Sequence, residues 1–421
     1  MKRHFLFLQG VSSPFFKQLA KRLQADGHRV TKISFNMGDV AYWAPARSIW
    51  FQQTVSELGD FLAQIYQREG ITDQVLFGDR RPVHRQAVQR AREQGIRNHV
   101  FEEGYFRPHW VTLEREGVNS RSPLPSEPDW LRAAAHQLRA SGVGPPVSNA
   151  FDSPFWRRAA HDVAYHLASG LNPLVFSKYR THSSVLAPVE YAGFVRRHLK
   201  NKFRLQPERL RLEGLLRAAG DFYFLPLQLE SDFQVRDQPV LNSMRALLEH
   251  VIGSFARHAP THTRLVIKNH PLDFDQTNYH SLSALLAQQY GVPERVEYFE
   301  TGDLAALLKN ALGTITLNST VGTVALEQGC PTLCLAPALY NVKGLTAQCG
   351  LDDFWNILPQ PDPELFSHFK TVVMHTTQVN GGFYCPQGIE LAARASATRL
   401  AANESPLERL QQQLSSGSRA H

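Results

Sequence analysis

Long hydrophobic runs are missing from this sequence. In 421 residues no window approaches eighteen uninterrupted apolar residues, so no membrane-spanning helix is expected. Cysteine is scarce. Cys330, Cys334, Cys349 and Cys385 all lie in the last quarter and form neither a CxxC pair nor a Cys/His grouping with zinc spacing. That excludes a disulfide framework and a structural zinc site, and leaves free thiols, mostly buried. No block of Lys and Arg and no RNA-binding signature occurs, so nucleic acid is not an expected partner. Internal repeats and low-complexity tracts are absent too. The start, MKRHFLFLQG, carries an apolar run only from Phe5 to Leu8, too short for the core of a signal peptide. It reads as a first β-strand, and the expected compartment is the cytoplasm.

What is present is ordinary for a soluble chain of two domains: 43% hydrophobic and 20% charged residues, with a net charge of +7. A basic balance suits anionic surfaces and phosphorylated ligands. The densest basic zone is Phe194 to Leu212, where Arg196, Arg197, Lys200, Lys202 and Arg204 could lie against lipid headgroups or form a solvated helix face.

Strand-like and helix-like segments alternate twice. In the first half HFLFLQG, RVTKISFN, QVLFGD and NHVFEEG read as strands between amphipathic helices, the first helix with Ser13 as N-cap and Pro14 at its first position. Such alternation predicts a parallel sheet covered on both faces, with ligands at the strands' carboxyl ends. Those ends read Gln9-Gly10, Gly78-Asp79 and Glu102-Glu103-Gly104. A mainly helical insertion spans about 122–212. A second alternation follows, with strands in DFYFLP, RLVIKNHP, VEYFE, GTITLN and PTLCLA. The expected domains are 1–215, 216–385 and a C-terminal helix and polar tail over 386–421 that packs back on the first domain. The expected fold is α/β and GT-B-like: two doubly wound, Rossmann-like domains facing a central cleft.

Three stretches carry chemistry. In RLVIKNHPLD, Pro271 pins His270 in extended backbone at a strand end, and Lys268 adds positive charge for a polyanionic ligand. In TITLNSTVGTVALEQG, Asn318, Ser319 and Thr320 stand between a strand and a helix, where hydroxyls and free N–H groups suit phosphate. Gly322 allows close approach of another backbone, and Glu327, two turns on, could take a ribose hydroxyl. An ordinary helix cap with a surface glutamate is the plainer alternative. In VFEEGYFRPHW, Glu102 and Glu103 leave a strand together. Neighbours on a strand point to opposite faces, so only one of them should meet substrate, as nucleophile or base. Arg107 could pair with an acidic substrate. Asp79, Arg80 and His84 follow another strand end, suited to a carboxylated or phosphorylated acceptor, and Gln228, Asp232 and Gln234 follow a further one. The tripeptide Asp273–Asp275 reads as a solvated loop, and no metal site is expected.

Taken in order, FLFLQGVSSPFFKQLAKRLQADGHRV, LFGDRRPVHRQA, FEEGYFRP, FLPLQLESD, IKNHPLD, TLNSTVGTVALEQGCP and LYNVKGLT resemble the KpsS-type family of capsule polysaccharide proteins, from Phe5 to about Cys385. The resemblance implies a cytoplasmic β-Kdo transferase of Gram-negative bacteria, held at the inner face of the inner membrane. Its donor would be CMP-β-Kdo and its acceptor a phosphatidylglycerol-type lipid. It would start a Kdo linker that a KpsC-type transferase extends for the capsule export machinery. No cofactor is implied. By the same resemblance His270-Pro271 would hold the cytidine nucleotide, and Ser319 and Thr320 would lie near the donor phosphate. Glu103 would stand where KpsC-type domains carry aspartate, as nucleophile in a retaining reaction or in another assisting role. Metal-independent transfer is expected. A UDP-sugar transferase or epimerase on the same architecture, or a non-catalytic export or scaffold protein, are the competing readings.

Overall fold

A computed structural model describes residues 2–144, 146, 148–180, 193, 196–197, 206–217, 221–230, 241–273 and 276–417. Two compact units emerge. The first comprises Met1–Pro125, Arg132–His182 and Lys370–His421; the second comprises Ser126–Leu131 and Ser183–Phe369. Residues 206–215, expected in the first domain, thus group with the second unit. Residues 370–385, expected in the second domain, group with the first.

The first unit is built on a seven-stranded sheet. Its strands are β1 (His4–Phe7), β2 (Arg29–Ser34), β3 (Ile49–Trp50), β4 (Asp73–Phe77), β5 (Arg97–Glu103), β6 (Trp110–Arg115) and β12 (Gln378–Asn380), in the order β12-β6-β5-β4-β1-β2-β3. β5, β4, β1, β2 and β3 run parallel, as the alternation predicts; at one edge β6 pairs antiparallel with β5, and β12 antiparallel with β6. Both faces are buried, which is why β1 reads as an unbroken apolar run. Phe5, Phe7, Val75, Phe77 and Phe101 pack on one face with the helices Phe15–Ala25 and Pro386–Ala401. Leu6, Leu8, Leu76 and Val100 pack on the other with Leu58–Glu69 and Pro82–Glu93. Full burial of each such side chain contributes about 1.5–3 kcal/mol. The C-terminal helix therefore does pack against the first helix of the chain, in the same unit. That first helix starts one residue later than its sequence suggests. Pro14 is its N-cap, and Ser13 Oγ accepts from the N–H of Phe15 at 3.2 Å.

The second unit holds a five-stranded, wholly parallel sheet: β7 (Phe222–Pro226), β8 (Arg264–Lys268), β9 (Val296–Phe299), β10 (Gly313–Thr316) and β11 (Thr332–Cys334), ordered β11-β10-β7-β8-β9. Tyr223, Leu225, Leu265 and Ile267 pack on one face with the helices Met244–His258 and Tyr279–Gln289. Phe222, Phe224, Val266 and Phe299 pack on the other with Leu304–Asn310 and Val321–Glu327. Each unit is thus a doubly wound, Rossmann-like α/β layer. In each, strand order reverses beside the first strand, between β1 and β4 and between β7 and β10, and ligands of such sheets bind at the carboxyl ends there.

All four cysteines are free. Cys385 serves as a helix cap, where its Sγ accepts from the N–H of Gly388 at the start of Pro386–Ala401.

Candidate functional site

In the second unit the reversal point is marked by a reciprocal amide pair. Gln228, just past β7, donates from Nε2 to Asn318 Oδ1 at 3.1 Å, and its Oε1 accepts from the N–H of Asn318 at 3.3 Å. That pair joins the carboxyl ends of β7 and β10. His270 follows β8, the strand on the other side of β7. Its Nδ1 accepts from the N–H of Leu272 at 3.1 Å, so the neutral ring carries its proton on Nε2 and can donate from there.

The loop around His270 is braced from behind. Arg197, 7% exposed, donates to the carbonyls of His270 (3.1 Å), Pro271 (3.0 Å) and Asp273 (2.5 Å) and pairs with Glu300 at 3.1 Å. Arg197 is therefore no membrane-facing or solvated residue. Arg196 is exposed; Lys200, Lys202 and Arg204 lie outside the described residues. Asn269 donates to Asp273 Oδ2 (3.2 Å) and Glu300 Oε2 (3.1 Å). Asp273 is buried in this loop rather than solvated, because it accepts that bond; Phe274 and Asp275 lie outside the described residues. Lys268 also works inward. Its ammonium donates to the Asn269 carbonyl at 3.2 Å, and burial, with Arg197 beside it, pushes its pKa down.

Ser319 Oγ accepts from the N–H of Val321 at 3.2 Å and starts the helix Val321–Glu327, while Thr320 makes no capping bond with its side chain. Gly322 is required by a side chain and not by another backbone: a Cβ there would lie 2.2 Å from the Tyr340 hydroxyl oxygen. Tyr340 in turn donates to the Ser319 carbonyl at 2.5 Å. Glu327 ends its helix and is exposed. Asp232 and Gln234 lie outside the described residues.

In the first unit Gln9, past β1, is buried at the centre of a polar cluster. Its Nε2 lies 3.2 Å from the Tyr179 hydroxyl, 3.3 Å from that of Tyr165 and 3.5 Å from Asp39 Oδ2. Its Oε1 accepts from Arg81 at 3.2 Å, and Arg81 also donates to the Gly10 carbonyl at 3.0 Å. Tyr165 donates to Asp39 Oδ1 at 3.0 Å and accepts from Asn36 at 2.8 Å. The arginine that reaches Gln9 is thus Arg81, while Arg80 turns to Ser120 Oγ at 3.1 Å. His84 is wholly buried, with Nδ1 2.7 Å from the Gly78 carbonyl, and braces the loop that carries Asp79.

Glu102 and Glu103 diverge as strand geometry requires. Glu102 Oε1 accepts from the N–H of Glu103 at 3.0 Å, and its Oε2 lies against Gly78. Glu103 Oε1 accepts from Arg158 at 3.3 Å. Arg158 stacks over Tyr384, its guanidinium carbon 5.0 Å from the ring centre. Gly104 is needed for the turn away from the strand, because a Cβ would lie 2.2 Å from the Trp110 carbonyl oxygen. Arg107 is exposed and, among the described residues, donates to the Gly104 carbonyl at 3.4 Å.

Behind these groups lies an acidic interior. Asp79 is 1% exposed, neither of its oxygens has a hydrogen-bond partner among the described residues, and Arg121 stands 3.9 Å away. Burial pushes its pKa up against the pull of Arg121 and Arg80. Burial likewise pushes Glu114 up to about 7, with Asp79 adding to the rise, although Ser122 and the Tyr105 hydroxyl (2.8 Å) hydrogen-bond its oxygens. No group of three or more His, Cys, Asp or Glu able to hold a metal ion occurs among the described residues.

Sequence reasoning missed Arg81, Asn36, Asp39, Tyr165, Arg158 and Arg197 as parts of these clusters. Arg81 and Asn36 had a local signal, each at a strand end, with Asp39 three residues past Asn36. Tyr165, Arg158 and Arg197 arrive from helices far along the chain.

Comparison with known proteins identifies the family. Residues 72–384 match the family model of capsule polysaccharide biosynthesis proteins. The chain is 34% identical over 383 residues to the capsule polysaccharide export protein KpsS of Escherichia coli, covering 91% of this chain and 97% of that one. It is 33% identical over 386 residues to the capsule polysaccharide modification protein LipB of Neisseria meningitidis serogroup B, covering 90% and 91%. Among solved structures it is similar to the β-Kdo 2,7 transferase of Thermosulfurimonas dismutans KpsC, with a TM-score of 0.46 and 13% identity over 95% of this chain and 98% of that one. The chain belongs to the capsule polysaccharide biosynthesis protein family.

Proposed function

We propose that this protein is a β-Kdo glycosyltransferase. It takes Kdo from CMP-β-Kdo, joins it with retention to a phosphatidylglycerol-type lipid, and so makes the first unit of a capsule linker. Family membership and the ordered motif resemblance support the substrate class. The observation that carries the nucleotide assignment is His270, its Nδ1 taken by the Leu272 N–H, just past the strand next to the Gln228–Asn318 pair at the reversal point of the second sheet. An imidazole N–H and amide groups there suit one phosphate and a pyrimidine edge. In this reading the second unit holds the cytidylate and the first supplies the acid. Glu103, oriented by Arg158, is the group that acts at the sugar as the bond to the CMP oxygen breaks and the bond to the lipid hydroxyl forms. The reaction needs no metal. A KpsC-type transferase extends the product at the inner membrane surface.

The test is mass spectrometry of a lysophosphatidylglycerol acceptor incubated with the protein and CMP-Kdo. A gain of one Kdo is expected. No gain with folded protein, or a gain from a UDP-sugar instead, contradicts the reading. Complete loss of transfer in chelator, restored by magnesium, contradicts metal independence. A non-catalytic role in export is the second reading, favoured by the description of the Escherichia coli relative as an export protein. It predicts that Glu103→Gln leaves lipid glycosylation intact.

A further inference from the structure

The helix Phe155–Ser169 is built with its polar side inward. Arg158 reaches Glu103, Tyr165 reaches Asn36 and Asp39, and His161 Nδ1 lies 2.8 Å from the Tyr42 hydroxyl. At 100° per residue these three share one side of the helix. The other side is apolar and meets solvent. Trp156 is 64% exposed and Leu167 74%, with Val163 between them; Phe155, 62% exposed, flanks this side at the helix start, and no residue of the helix is buried. The stripe continues past the helix end. Gly170 (φ −56°, ψ −22°) and Leu171 (φ −84°, ψ −2°) keep helical backbone into Asn172–Val175, where Leu174 is 83% exposed. Six of the eleven large apolar residues exposed among the described residues lie between Phe155 and Leu174, so they make one patch and not the scattered singles of an ordinary surface.

Charge at the rim selects what covers this patch. The Arg157 guanidinium lies over the Trp156 ring, 5.2 Å from its centre, at one end. Exposed Lys178 and Arg180 follow at the other. From Val163 to Arg180 the sequence has no Asp or Glu. An apolar stripe with an indole and a cationic rim fits the boundary between acyl chains and anionic headgroups. No helix among the described residues is long and apolar enough to cross a membrane.

We infer that the stripe Phe155–Leu174 is a membrane-docking face, which lays Trp156, Leu167, Leu171 and Leu174 on a bilayer containing anionic lipid. The inference rests on the proposed lipid acceptor only for its choice of occupant. One consequence follows from the helix itself. Its inner side orients Glu103 and holds the Gln9 cluster, so docking sets the acid's support on the lipid surface.

The test uses full-length protein and vesicles of phosphatidylglycerol with phosphatidylethanolamine, against vesicles of phosphatidylcholine alone. Wild type is expected to co-sediment with the anionic vesicles, less so as salt rises. The double variant Leu167→Ser/Leu174→Ser is expected to lose at least tenfold in bound fraction with an unchanged thermal melt, since both positions face solvent. On a water-soluble short-chain acceptor it keeps wild-type transfer, and it loses transfer only on vesicles. Equal vesicle binding by wild type and the double variant overturns the inference. So does a wild-type dimer that the double variant dissolves, because a second copy then covers the stripe. If wild type binds vesicles through this face yet modifies no acceptor, the docking stands and the proposed function fails.

Discussion

The two units use the same sheet logic and build their strand ends in opposite ways. In the second unit the candidate groups come from short stretches beside β7, β8 and β10, and the amide pair and the His270 loop lie within them, braced from a distance by Arg197, Glu300 and Tyr340. In the first unit almost every group is oriented by a residue from elsewhere. Tyr165 and Arg158 come from the helix Phe155–Ser169, and Tyr384 comes from beyond β12. On the proposed function a nucleotide would offer the same phosphate and ring in every encounter, so short local loops would suffice to recognise it, whereas the proposed acid, Glu103, depends on the helix that holds it. The difference predicts that damage to the first unit's braces appears in rate, and damage to the second's in donor affinity and stability.

The largest effect is expected from Glu103→Gln, which should lower transfer about 10²–10⁴-fold with CMP binding unchanged. Single-turnover product formation, set beside calorimetric binding, measures both. Arg197→Gln removes the cation that pairs with half-buried Glu300 and anchors the carbonyls of His270, Pro271 and Asp273, and should cost about 3–5 kcal/mol in urea unfolding. At a temperature where the variant stays folded, its donor KM should rise more than its kcat falls, because the His270 carbonyl loses its anchor. The reverse split would break the comparison between the units.

A smaller effect is a pH dependence of stability that arises in the first unit. Glu114 titrates near 7 in the native state against an ordinary 4.5. Between those values the unfolded chain has already released a proton that the native state still holds. Stability therefore falls as pH rises through this window, by about 3 kcal/mol in all, and levels off above it. Chemical denaturation at pH 4.5, 5.5, 6.5 and 7.5 checks the slope, and Glu114→Gln should flatten it. An unaltered slope in that variant assigns the titration elsewhere. Least affected is Arg107→Ala. Its side chain is exposed with one long hydrogen bond, so stability should stay within about 0.5 kcal/mol. A tenfold loss of transfer in that variant would return Arg107 to the acceptor site.

What could be read from sequence follows the same division. Runs such as HFLFL and RLVIK are buried on both faces, so they announce parallel strands, and their ends announce Gln9, Glu103 and His270. β12 has three residues and joins β6 across more than 260 positions, so no local pattern marks it. The insertion helix misleads any reading of amphipathicity, because its apolar side faces out and its polar side faces in. In sequence, Lys268 and Arg197 read as charges offered to a ligand or a membrane. Burial turns them into internal braces, and burial is a property of the folded neighbourhood.

Calorimetric titration of CMP into wild type, His270→Ala and Glu103→Gln tests the division of labour most directly. Wild type and Glu103→Gln are expected to bind with equal affinity, and His270→Ala at least about tenfold more weakly. Undiminished binding by His270→Ala, or none by wild type, would contradict it.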